Sequence, residues 1–185
     1  RKSAALSETR PIFAQIKAKD LLLSYPFESM NLTFIRFLQE AANDPKVTSI
    51  KITLYRLAKS SKVIDALCTA AEQGKEVLVM IELRARFDEA NNIKWSRHLQ
   101  KAGVKIIYGP KDYKAHSKLL LVKRRAQGGG FDYVTQIGTG NYNEKTSAIY
   151  TDLMLLTADR EIAADAENVF NCLQNGTFVE STNKL

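Results

Sequence analysis

Five apolar residues in a row, Val77-Leu78-Val79-Met80-Ile81, constrain this chain more than any other feature of its sequence. A strand with one face in water alternates apolar and polar residues, so an unbroken run between Glu76 and Glu82 needs cover on both faces. Its neighbours indicate what supplies that cover. Upstream, Ile50, Ile52 and Leu54 alternate with Lys51, Thr53 and Tyr55 as a strand. Val63, Ile64, Leu67, Ala70 and Ala71 then recur at helical spacing until Gly74. Downstream, Asp88 is placed to cap a helix carrying Trp95, Leu99 and Ala102, Gly103 ends it, and 104–108 reads as the next strand. Strand, helix, strand, helix, strand in that order implies right-handed crossovers and a largely parallel sheet.

The flanking segments complete the outline. Leu32 to Ala42 reads as a helix with Phe34, Ile35, Leu38 and Ala42 on one face, capped by Ser29 or Asn31 and closed by Asn43-Asp44-Pro45. Residues 118–123 and 133–137 flank the turn Gly128-Gly129-Gly130 and predict a hairpin. A strand follows over 150–157, then a helix from Asp159 to Leu173 with Ile162, Ala166, Val169, Phe170 and Leu173 inward. The expected fold is α/β, a mixed and mostly parallel sheet between helices.

With 185 residues the chain fits one domain with a substantial core. Its 27 Lys and Arg against 20 Asp and Glu leave a net charge of +7, which suits a polyanionic partner without naming it. Cys68 and Cys172 border apolar helix positions and read as reduced, packed thiols. No stretch approaches the roughly 20 apolar residues of a membrane span, and the first 25 residues hold no signal-peptide core. Membrane association is therefore not indicated, and the chain, which starts at Arg1, reads as a cytoplasmic segment of something longer.

His116-Ser117-Lys118 opens a predicted strand, where residues two apart share a face. Imidazole and ammonium would converge, as a nucleophile beside a phosphate-neutralising cation requires. Alone, the pattern describes a structural histidine equally well. After the neighbouring strand comes Gly138-Thr139-Gly140-Asn141, whose glycines let backbone amides approach an anion while Thr139 and Asn141 add donors. That segment alone would be a tight turn; across a hairpin from His116 it makes half of an anion site. His98 falls on a polar helix face, and Asp88 and Glu89 suit a helix start better than an acid–base pair. Lys123-Arg124-Arg125 reads as a solvated face that could also guide a polyanion.

His-x-Lys followed by Gly-Thr-x-Asn resembles one half-site of the phospholipase D superfamily, except that the acid usual five residues after the lysine is Lys123 here. The wider chain resembles the polyphosphate kinases through six segments in register. They are Tyr25-Pro26-Phe27-Glu28-Ser29, Lys51-Ile52-Thr53-Leu54-Tyr55-Arg56, Ala85-Arg86-Phe87-Asp88-Glu89-Ala90-Asn91, His116-Ser117-Lys118, Gly138-Thr139-Gly140-Asn141-Tyr142-Asn143 and Tyr150-Thr151-Asp152. Tyr25 departs from the histidine that the family often has there. The resemblance, from about Leu21 to Leu173, implies a phospholipase-D-like α/β/α sandwich: the first of two C-terminal catalytic domains. Residues 1–20 are then a leader or inter-domain segment, 21–175 the catalytic half, and 176–185 a tail toward a second half.

The resemblance also implies roles. His116 matches the histidine the family phosphorylates; Arg56 and Arg86 match two arginines of the magnesium–phosphate site, and Tyr150 a tyrosine of the nucleotide site. A guanidinium has no lone pair for a metal, so both arginines read as phosphate ligands whose bound oxygens also hold Mg²⁺. Lys118 and Asn141 complete the phosphate contacts. Asp152 could orient His116 through its other ring nitrogen, or cap a strand edge; the two readings stand level.

The implied reaction is reversible transfer of the terminal phosphate of ATP to inorganic polyphosphate through a phosphohistidine, in a homo-oligomeric full-length enzyme whose other domains complete the site. ATP, ADP and polyphosphate are the implied partners, and nucleic acid is not, since few aromatics accompany the basic residues. The competing readings are a phospholipase-D-like diesterase and a basic binding domain without catalysis. The isolated chain is expected to fold and bind polyphosphate weakly, with little turnover.

Overall fold

A computed structural model describes residues 6–55, 61–82, 89–109 and 115–185, apart from the side chains of residues 89 and 91. In chain order the elements are helix α1 (Ile12–Ala18), strand β1 (Leu21–Tyr25), a π-helical turn (Asn31–Ile35), α2 (Arg36–Asn43) and β2 (Val47–Leu54). There follow α3 (Lys62–Glu72), β3 (Glu76–Ile81), α4 (Glu89–Lys101), β4 (Lys105–Tyr108), β5 (Leu119–Arg125), β6 (Phe131–Gly138), a 3₁₀ turn (Thr146–Ala148), β7 (Asp152–Thr157) and α5 (Arg160–Asn175).

The strands form one seven-stranded sheet in the order β1-β7-β6-β5-β2-β3-β4. Burial on both faces, read from the run in β3, holds: Val77, Val79 and Ile81 join the main core while Leu78 faces α5. Helices α1–α4 cover the first face, and α5 covers the second through Ala163, Ala166 and Phe170 against Leu119 and Leu121. The α/β/α sandwich expected from the sequence is therefore the fold. Its balance differs from a mostly parallel sheet. Only β2–β3 and β3–β4 pair in parallel, whereas β1–β7, β7–β6, β6–β5 and β5–β2 are antiparallel. The glycine turn is too short for a crossover, so β5 and β6 must reverse direction. Gly128, Gly129 and Gly130 have φ of 92°, 105° and 73°, which a Cβ would strain.

Local chemistry sets the ends of the helices. Ser61 Oγ accepts from Ile64 N at the start of α3. Asp159 accepts from Glu161 N and Ile162 N at the start of α5, which closes at Gly176 with φ 68°. The segment read as a leader carries α1, whose Ile12 and Ile16 are buried in the main core. Asp88, read as the cap of α4, lies outside the described residues. Cys68 is buried and Cys172 half-buried, both free. No helix among the described residues is long and apolar enough to cross a membrane.

Candidate functional site

Strand direction places the chemistry. Strands β1, β2, β3, β4 and β6 run one way and β5 and β7 the other. The carboxyl ends of the first group and the amino ends of the second therefore share one edge of the sheet. Tyr55, Glu82, Gly109, the 115–118 segment, the 138–143 segment and Asp152 all belong to that edge. Ligands bind at such an edge in open α/β sheets.

His116 and Lys118 precede β5 rather than lying in it, yet they converge as the two-residue spacing implies. Lys118 Nζ sits 2.9 Å from His116 Nδ1 and donates also to the His116 carbonyl. His116 is exposed, whereas Lys118 is only 6% exposed. The Tyr55 ring meets the imidazole edge-on at 5.2 Å, and the ammonium stands 5.6 Å over the same ring. Burial pushes the Lys118 pKa below that of an ordinary lysine, and the Asp152 carboxylate partly opposes the shift. A Lys118 ammonium only donates, so with a neutral imidazole this contact corresponds to the tautomer that carries its proton on Nε2.

Asp152 does not spend its hydrogen bond on the histidine. Its Oδ1 accepts from Thr139 Oγ1 at 2.8 Å, and Thr139 Oγ1 in turn accepts from Leu153 N at 3.0 Å. The bond to Thr139 joins the two strand ends, and the Asp152 charge acts on Lys118. Gly140 is required beside it, because a Cβ there would lie 2.5 Å from the Asp152 carboxyl carbon. Asn141 presents a buried Oδ1 with no partner among the described residues. A cavity of about 290 Å³ opens beside His116, Lys118, Gly138 and Thr139, near the lower bound of small-ligand sites. A larger one, about 460 Å³, lies by Arg36, Glu40 and Asp44, far from this edge. There Arg36 is paired with Glu40 and Asp44 with Arg124.

Tyr150 is 61% exposed at the same edge, between the 3₁₀ turn and β7. Arg56 and Arg86 lie outside the described residues. In the Tyr25–Ser29 segment Tyr25 is buried and bonds Thr33 Oγ1, Glu28 accepts from Ser24 N, and Phe27 is exposed. His98 is exposed beside Trp95. The basic run lies away from His116. It ends β5 at the opposite edge, with Lys123 over Phe131 and Arg124 bonded to Asp44.

Two residues went unremarked in the sequence. Thr53 and Glu82, each 2% exposed, bond the backbone on either side of His116. Neither had a local signal, because each acts on backbone 64 or 33 residues away. As for metal, no group of three or more His, Cys, Asp or Glu among the described residues could hold an ion.

The family described as polyphosphate kinase C-terminal domain 1 matches residues 11–178. The chain is 47% identical over 178 residues to a polyphosphate kinase of Prochlorococcus marinus (strain MIT 9313), covering 96% of this chain and 25% of that protein. It is 49% identical over 169 residues to one of Exiguobacterium sibiricum, covering 91% and 23%. The chain thus spans about a quarter of the length of these curated relatives. The crystal structure of polyphosphate kinase from Porphyromonas gingivalis superposes with TM-score 0.82 at 34% identity, over 98% of this chain and 31% of that one. Nuc from Salmonella typhimurium, a phospholipase D family member, superposes with TM-score 0.63 at 16% identity, over 85% and 92%, and shares the fold.

Proposed function

Because the chain belongs to the polyphosphate kinase family, matched over residues 11–178, we propose that it is the histidine-bearing catalytic half of an ATP:polyphosphate phosphotransferase. The observation that carries the reading is the contact of a buried ammonium, Lys118, with the imidazole of an exposed histidine, His116, at 2.9 Å.

The arriving phosphoryl group draws the Lys118 ammonium onto its non-bridging oxygens, where its charge has most to offset. Nδ1 is then released to take the ring proton, and Nε2 offers its lone pair. Nε2 attacks the γ-phosphorus in line as the bond to ADP breaks, giving phosphohistidine. A terminal oxygen of polyphosphate then attacks the same phosphorus, breaks the P–N bond and restores the imidazole. The sequence reverses when ADP replaces the chain end. Arg56 and Arg86 neutralise the phosphate oxygens, the unpartnered Asn141 Oδ1 receives a proton-bearing group of the ligand, and the exposed Tyr150 ring takes the nucleotide base. Mg²⁺, when bound, would be met by Arg56 and Arg86 through the phosphates of the ligand and would supply further charge neutralisation there. The remaining domains of a full-length, oligomeric, cytoplasmic kinase complete the site, so the isolated chain binds polyphosphate weakly and turns over little.

Incubating the full-length kinase with γ-labelled ATP tests this. The expected result is acid-labile label on His116 and none in His116→Ala. Undiminished labelling of His116→Ala would refute it.

A further inference from the structure

We propose that Thr53 and Glu82 brace the backbone on both sides of His116 and so set the position of its imidazole for phosphoryl transfer. The inference deepens the functional reading above and rests on it.

His116 needs an external support. It lies outside every strand and its side chain is exposed, so no sheet ladder fixes its backbone. Phosphoryl transfer nonetheless needs reacting atoms within about 3–3.5 Å and aligned, and a 1 Å error costs on the order of 100-fold.

Thr53 supplies one brace. The ladder between β2 and β5 ends with Ile52 opposite Leu120. One residue further along, the Thr53 side chain takes over: its Oγ1 donates to Ser117 O at 2.7 Å and accepts from Leu119 N at 3.0 Å. One hydroxyl thereby anchors the chain just after His116 while letting it leave the sheet.

Glu82 supplies the other. Its carboxylate is buried at the end of β3, and Oε2 accepts from Ala115 N at 3.1 Å, just before His116. Gly109 packs against this carboxylate so closely that a Cβ there would lie 2.8 Å from Oε2. Both braces stand on one rigid base. Glu82 N donates to Leu54 O, and the fully buried Asn92 donates from Nδ2 to both Tyr55 O and Glu82 O at 3.1 Å. The ends of β2 and β3 are therefore tied together under the histidine. Thr53 and Glu82 touch no reacting atom in this scheme; they are positioning residues that act through the backbone of residues 115–119.

The test uses the full-length kinase and single-turnover labelling of His116 by γ-labelled ATP. Thr53→Val removes the hydroxyl at constant shape and should slow labelling roughly 10- to 100-fold with KM for ATP unchanged. Thr53→Ser restores the hydroxyl and should recover most of the rate. Gly109→Ala displaces the Glu82 carboxylate from the other side, deletes no polar group, and should slow labelling in the same way. Should Thr53→Val fail to fold, Gly109→Ala decides the question by the same readout. Wild-type labelling in the folded variants, equal losses in Thr53→Val and Thr53→Ser, or a loss confined to KM each overturns the brace. A His116→Ala control separates the two levels. Label retained there overturns the functional reading and the brace with it; a blank control beside normally labelled Thr53→Val and Gly109→Ala overturns the brace alone.

Discussion

The hydroxyl of Tyr142 is buried in the segment that follows Asn141, with no hydrogen-bond partner among the described residues, and Tyr142→Phe therefore removes a penalty rather than a contact. Burying a hydroxyl unpaired costs about 1–3 kcal/mol. Deleting the oxygen forfeits a few dispersion contacts of about 0.1–0.2 kcal/mol each. The ring itself stays where it is, stacked on Phe34 at 4.8 Å and 24°. The net expectation is a gain of about 1 kcal/mol, or roughly 2–4 °C in Tm for a domain of this size. A second signature comes from pH. Burial, with the charge of Tyr25 as a smaller cause, raises the Tyr142 pKa well above its ordinary value of 10. Above that value the unfolded chain loses the phenolic proton and the folded chain keeps it. The unfolded state then binds fewer protons, so stability falls as pH rises. Tyr142→Phe should flatten this alkaline loss in part, since Tyr25, raised to about 12, contributes its own share. Urea unfolding at pH 7 and pH 10.5, with an unchanged m-value, measures both effects. A loss of more than about 0.5 kcal/mol in Tyr142→Phe at pH 7 would mean that the hydroxyl is bonded and the reasoning is wrong.

Three further outcomes follow from the site. The depressed Lys118 pKa puts the alkaline limb of phosphoryl transfer below the ordinary lysine value of 10.5, while stability rises across the same window because the unfolded state holds more protons there; pH–rate and pH–melting profiles moving in the same direction would contradict this. Asp152→Asn keeps an acceptor for Thr139 but removes the charge that holds the Lys118 proton, so phosphohistidine formation should slow, polyphosphate binding should persist, and the alkaline limb should move to lower pH; normal labelling with an unmoved limb would count against it. Gly140→Ala drives a methyl into the Asp152 carboxylate and should cost about 1–3 kcal/mol in thermal unfolding while slowing labelling; a neutral melt and normal rate would show that the contact yields freely.

What could be read from the sequence divides along a physical line. The β3 run, the α3 periodicity and the glycine hairpin were legible because each pattern repeats within its own element. Helix α1 was not, since Ile12, Phe13 and Ile16 lie within seven residues, too short a span to show a period. The antiparallel majority escaped because strand order depends on which edges meet, and β1 crosses the whole chain to pair with β7. In the site, His116, Lys118 and Asn141 carry side-chain chemistry that a spacing can reveal. Thr53 acts on backbone 64 residues away and Glu82 on backbone 33 residues away, so no local pattern could contain their roles.

Lys123 illustrates the same limit from the opposite side. It stands where the phospholipase D pattern usually has an acid, and by sequence alone that departure weakens a phospholipase or nuclease assignment. In the fold, Lys123 lies five residues up β5 from Lys118, about 17 Å at strand rise, with its ammonium 4.1 Å over the Phe131 ring at the far edge. At that separation, in water and salt, its charge is largely screened from His116. The substitution therefore changes little at the reacting atoms. Under the proposed function, the choice of phosphate acceptor therefore has to be made at the opposite edge, around His116 and Lys118, and not by Lys123.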